Sequence, residues 1–161
     1  MYKLLLISFL MLTKSVNTAE AFEKYCNARF SFCLGYPISF VSQSPPENGD
    51  GEALLSRDGL AEIRAFGSLA VEDFNTLEQE FTVATSKTKL TYKRITKDWF
   101  VFSGIDQKGE IVYRKTVRKK INYMGKPATQ VFQTLMIKYP ASQQSVYTPY
   151  CLEISKSLSA K

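Results

Sequence analysis

The chain has 161 residues, 45% of them hydrophobic and 22% charged, with a formal net charge of +6. That is the length of one ordinary domain, able to bury a core of its own. It contains no histidine, which excludes Ser-His-Asp and Cys-His catalysis, histidine metal sites and the usual neutral-pH proton shuttle.

The N-terminus has the order of an export signal. Lys3 supplies a positive start, Leu4 to Leu12 is an apolar run, and Ala19-Glu20-Ala21 is a small-residue cleavage site. The run is shorter than the ~20 residues needed to span a bilayer. Cutting after Ala21 makes residues 1–21 a signal peptide and 22–161 a single domain; cutting after Ala19 is the alternative. No cysteine stands at the cut, which argues against a lipoprotein anchor. The expected location is periplasmic or secreted, with the processed protein soluble.

Three cysteines follow, Cys26, Cys33 and Cys151. In an oxidising compartment two of them are expected to pair. Cys26–Cys33 would close a short loop, whereas a bond from either to Cys151 would tie the start of the domain to its end. The remaining thiol is expected to be buried. With no histidine and no C-x-x-C spacing, zinc is a poor fit.

In chain order, Arg29–Tyr36 alternates aromatic and small residues at strand period, and Pro37 ends it. Residues 42–51 are a loop by composition. Asp58-Gly59 between two apolar runs signals a hairpin, 52–56 with 60–66. Asn75 with Glu78 fits a capping box, opening a helix whose apolar stripe is Phe74, Leu77, Phe81 and Ala84. Strands are expected at 90–96, 99–105, 110–123 and 129–139, with turns at Gln107-Lys108-Gly109 and Gly125-Lys126-Pro127. A final helix spans about 144–158, with Val146, Tyr150 or Cys151, Ile154 and Leu158 buried, and Pro149 as a possible start. The order β-β-β-α-β-β-β-β-α predicts an α+β fold, a mainly antiparallel sheet of six to seven strands with two helices packed on it.

Several stretches resemble small exported proteins of Gram-negative bacteria. These are Arg29-Phe30-Ser31-Phe32-Cys33-Leu34-Gly35-Tyr36-Pro37, Asn48-Gly49-Asp50-Gly51, Ser56-Arg57-Asp58-Gly59, Ile137-Lys138-Tyr139-Pro140 and Ile154-Ser155-Lys156-Ser157-Leu158. The aromatic opening strand closed by Tyr-Pro, together with the final helix, is similar to the Mog1/PsbP-like α-β-α sandwich. The resemblance implies a fold and no mechanism, because such folds host unrelated roles, and it offers no catalytic residues to carry over.

Two motifs fail on inspection. Ser86-Lys87-Thr88-Lys89 matches S-x-x-K, but it falls at a helix end and lacks the partner motifs. Residues 47–52 look like half a calcium loop, yet with Gly51 at the required glycine the flanking ligand positions are Pro46 and Arg57. The strand 110–123 is more informative. Arg114, Arg118 and Lys120 share one of its faces, Lys108 is near its start, and Lys87, Lys89, Lys93, Arg94 and Lys97 extend the row if the neighbouring strand is close. Two readings stand: a solvated, edge-protecting strand, or a docking face for an acidic protein or an anionic envelope component. Nucleic acid is not indicated, since no such motif occurs. No cofactor, metal site or catalytic group is called for. The expected function is an envelope binding or accessory protein acting by protein–protein contact, such as an inhibitor, immunity or assembly factor. A small hydrolase using carboxylate or lysine chemistry, which needs a pocket lined by acids, and a small-ligand carrier using space between sheet and helix are the alternatives.

Overall fold

The computed structural model describes residues 20–71 and 75–158. Residues 1–19, which hold most of the expected signal, and Phe74 lie outside the described residues.

Strands β1 (Phe22–Asn27) and β2 (Phe32–Pro37) form a hairpin of their own, in which Cys26 and Cys33 are directly opposed and disulfide-bonded. The strand expected at 29–36 is therefore shorter at its start, and β1 was not foreseen. Its residues are mostly exposed, so they carry little apolar alternation. The turn between the two strands is fastened from within. Asn27 Oδ1 accepts the Phe30 N–H at 2.8 Å, and Gln133 Nε2 donates to the Phe30 carbonyl at 2.8 Å. Phe30 is buried against Gly67, where a Cβ would sit 2.0 Å from the Phe30 side chain. Only glycine leaves room for that ring.

A seven-stranded antiparallel sheet forms the body. Its strands are β3 (Phe40–Ser42), β4 (Gly51–Ser56), β5 (Glu62–Leu69), β6 (Thr88–Ile95), β7 (Trp99–Asp106), β8 (Glu110–Tyr123) and β9 (Lys126–Pro140), in the order β3-β4-β5-β9-β8-β7-β6. The last strand thus inserts between the β4–β5 hairpin and the β6–β7–β8 meander. The turn before β9 is Met124-Gly125, with φ of 50° and 83°, so Pro127 lies on the strand rather than in the turn.

Side-chain alternation gives β8 and β9 two different faces. Val131, Leu135, Ile137 and Tyr139 join Ile111 and Val117 in a core covered by the β1–β2 hairpin and α2 (Gln144–Ser157). Phe132 joins Val112, Phe100 and Phe102 beneath Leu77 of α1 (Leu77–Thr85). A helix on each face of the sheet makes the α-β-α sandwich, of the expected α+β class.

Both helices differ slightly from expectation. The N-cap of α1 is Thr76 with Gln79 in a reciprocal capping box, one residue beyond the expected Asn75 and Glu78. The buried stripe of α2 is Tyr147, Cys151, Ile154 and Ser155, continued by Leu158, while Val146 is exposed. A 3₁₀ turn, Ala141–Gln143, leads into α2, which runs through Pro149 rather than starting at it. The fold also takes in Glu20. Its carboxylate accepts the Ser39 N–H at 3.0 Å and the hydroxyl of Tyr150 on α2, and the Ala21 carbonyl accepts the Ile38 N–H at 3.0 Å.

Candidate functional site

The expected cationic row does not survive as one surface. β8 is flanked by β7 and β9, so it is no edge strand. Arg114, Arg118 and Lys120 do share its α1-side face, as the alternation predicts. Arg114, however, is consumed by the fold. Its side chain is 13% exposed and ion-paired to Glu80 of α1, itself 14% exposed. It donates to Thr116 Oγ1 at 3.2 Å and sits over the rings of Phe66 and Phe100. Burial lowers its pKa while the Glu80 carboxylate opposes that shift, so the guanidinium pins α1 to the sheet. Arg118 donates to the Lys97 carbonyl at 2.9 Å and closes the turn before β7. Lys120 and Lys108 are exposed, but they lie at opposite ends of β8, roughly 40 Å apart at about 3.3 Å per residue.

A denser group of exposed cations lies in and beside β6, one of the two edges of the sheet. Lys87, Lys89, Lys93, Arg94 and Lys97 are all exposed, and residues 81–97 contain no carboxylate. Among the described residues, none of the ion pairs uses these five. The register alternates them: Lys93 opposes Phe102 on the α1 side, whereas Lys89 and Arg94 oppose Ile105 and Val101 on the α2 side. A bulge between Leu90 and Tyr92 interrupts the ladder.

Beside this edge, α2 leaves the outer three strands partly uncovered. A groove of about 490 Å³ opens there, a size typical of small-molecule sites. Its floor is laid in rows by the strand register. Tyr92, Ser103 and Tyr113 face one another across β6, β7 and β8, and Ile105 with Ile111 form the next row toward Tyr139. Thr148, Cys151 and Leu152 of α2 form the wall. At the opposite end the lining stops at Val101, whose register neighbours Arg94 and Lys115 lie just outside it. There the Arg94 guanidinium and the Lys115 ammonium lie 5.4 and 5.8 Å from the Trp99 ring centroid, within cation–π range. Lys115 Nζ also donates to the Ser155 carbonyl at the end of α2, at 2.8 Å, and burial lowers its pKa.

The groove lining includes no carboxylate. Its thiol is quiet: burial pushes Cys151 up to about 11 and Tyr139 up to about 12, so both stay protonated near neutrality. Asp50 and Glu52 line a separate concavity, but Asp50 is engaged by Arg29 at 2.7 Å and Asn48 at 2.7 Å, and Glu52 by Ser42 at 2.8 Å. Ser86 caps the end of α1, its hydroxyl donating to the Val83 carbonyl at 2.9 Å. Among the described residues, no group of three acidic, cysteine or histidine ligands is gathered.

Sequence reasoning raised space between sheet and helix as an alternative but named none of the residues that line this groove, although one signal was present. Ser103-Gly104 interrupts the bulky run Trp99–Phe102, and small residues in a strand between large ones leave space above the sheet.

No family model matches the chain, and no curated protein matches it. The solution structure of cyanobacterial PsbP (CyanoP) from Synechocystis sp. PCC 6803 is similar in fold, with a TM-score of 0.55 and 9% identity, covering 92% of this chain and 96% of that one. The α-β-α sandwich described above is thus a PsbP-like fold.

Proposed function

We propose that this is an exported, non-enzymatic accessory protein of the bacterial envelope that holds an acidic, extended segment of a partner protein along β6. Export to the periplasm or beyond is supported by the order of charge, apolar run and small residues at the N-terminus. The Cys26–Cys33 disulfide supports the same reading, since such bonds persist in oxidising compartments. The residues resembling small exported Gram-negative proteins belong to this proposal as well. Among the described residues, no helix is long and apolar enough to cross a membrane.

The observation that carries the binding role is five exposed cations, Lys89, Lys93 and Arg94 on the β6 edge and Lys87 and Lys97 flanking it, with no acidic residue in 81–97. Lysine on an edge strand also discourages aggregation. Protection by itself, however, calls for a charge or two rather than a field of one sign. Such a field steers and holds an anionic partner, and an open edge accepts an added strand.

The test uses a synthetic peptide of alternating glutamate and threonine, followed by fluorescence anisotropy. Binding is expected at low salt and should weaken steeply as salt rises. The Lys87→Glu, Lys93→Glu, Lys97→Glu triple variant should lose at least tenfold in affinity. Equal binding by the variant and the parent protein refutes the docking edge. Export is tested by fusing residues 1–21 to a reporter enzyme active only outside the cytoplasm.

A further inference from the structure

We propose that the groove between α2 and strands β6–β8 is a binding site for a single-chain amphiphile, an acyl tail carrying one anionic head group. The inference rests on the groove itself and stands whether or not a protein docks on β6.

The argument starts from the register. The rows Arg94–Val101–Lys115, Tyr92–Ser103–Tyr113 and Ile105–Ile111 are successive lines of side chains on the same face of the sheet. They cover about 13 Å along β7 at about 3.3 Å per residue. Polarity is graded along that distance. Val101 ends the lining on one side, with its register neighbours Arg94 and Lys115 and the Trp99 ring just beyond it, whereas Ile105, Ile111 and the buried Tyr139 ring occupy the other end. A ligand with a charged head and an apolar tail matches both ends at once. A neutral apolar molecule makes no use of the exposed Arg94 guanidinium beside Val101, and a small inorganic anion leaves the apolar rows wet.

The two walls support the tail. Leu152 of α2 and Tyr92 of β6 are 62% and 53% exposed and face the same opening. Covering them removes apolar surface from water, worth about 25 cal/mol per Å². The lining holds no carboxylate to repel the head group, and Arg94, exposed beside Val101, is the donor within reach at that rim, since Lys115 already donates to the Ser155 carbonyl.

The chain's single tryptophan, Trp99, stands at the head-group end and reports occupancy directly. Dodecanoate, lysophosphatidylglycerol, lysophosphatidylcholine and dodecyl maltoside are titrated below their micelle-forming concentrations. A saturable change in Trp99 fluorescence is expected with the first two, and which of these binds tighter separates a free carboxylate from a phosphodiester head. The zwitterionic and non-ionic probes should bind at least fivefold more weakly. Equal binding of all four overturns the head-group assignment, and no saturable change with any overturns the site. Leu152→Glu, at an exposed position that folding tolerates, should weaken dodecanoate at least tenfold, and Arg94→Gln at least threefold. Unchanged affinity in both variants refutes the placement. Hydrogen exchange should show protection on β7 and α2 upon dodecanoate binding; protection elsewhere alone overturns the proposal. The Lys87, Lys93 and Lys97 side chains do not line the groove, so the triple variant used against the acidic peptide should bind dodecanoate normally.

Discussion

Arg114 shows how one side chain can change meaning between sequence and fold. In the sequence it is one cation in a row; in the structure it is nearly covered, paired to Glu80 and stacked on two rings. A pair this buried contributes through what happens when it is broken, because removing one partner strands the other charge away from water. Glu80→Ala should therefore cost about 3 kcal/mol, and Arg114→Met clearly less, since a flexible apolar chain abolishes the desolvation cost together with the attraction. Urea unfolding of the disulfide-intact protein distinguishes the two, and a larger loss for Arg114→Met contradicts this account. Periodicity carries no warning of it, because a strand's alternation shows which face a residue takes but not what lies over that face.

At the scale of elements, the helices were legible to within a residue and their exact faces were not. Asn75-Thr76-Leu77-Glu78-Gln79 supports two overlapping capping boxes. Packing breaks the tie: Leu77 must be buried against Phe100 and Phe102, which makes Thr76 the cap. Thr76→Ala should cost about 1 kcal/mol, whereas Asn75→Ala should change stability far less. Thermal melts of the two variants settle which residue is the cap. In α2 the same kind of tie lay between Val146 and Tyr147. The ring of Tyr147 wins because it packs on Phe40 and Tyr139 and donates to Asp58 at 2.6 Å. β1 was invisible for a different reason: the Cys26–Cys33 bond and its pairing with β2 hold it in place, so it needs no apolar stripe of its own.

For the whole molecule, the α+β class and the two helices could be read from periodicity and turn residues, but six to seven strands were expected and nine are present among the described residues, with β1 and the three-residue β3 unforeseen. The strand order could not be read that way. β9 pairs with both β5 and β8, and such long-range pairing leaves no local signature. That insertion moves β8 to the interior and gives β6 an edge, which is why Arg114 and Arg118 of β8 are engaged by the fold while the cations in and beside β6 stay exposed. The cysteine question closes in the same way. With Cys26 bonded to Cys33 and Cys151 sealed under α2 at 4% exposure, the native protein should show no rapidly reacting thiol. One thiol per chain should appear on unfolding without reductant. A fast-reacting thiol in the native state, measured with a chromogenic disulfide reagent at neutral pH, argues against this arrangement.

The carboxylate of Glu20 belongs to the folded body, joined to Ser39 and to Tyr150. Burial raises its pKa, but the bonds from Ser39 and Tyr150 outweigh that, and the net shift is below the ordinary 4.5. Trimming after Ala21 would discard this anchor, whereas trimming after Ala19 would leave it as the first residue of the finished chain. Were the chain cut at one of these two bonds, the choice would decide whether the newborn amino end hangs free or is latched to the closing helix, and that latch would loosen only as pH fell below the ordinary 4.5.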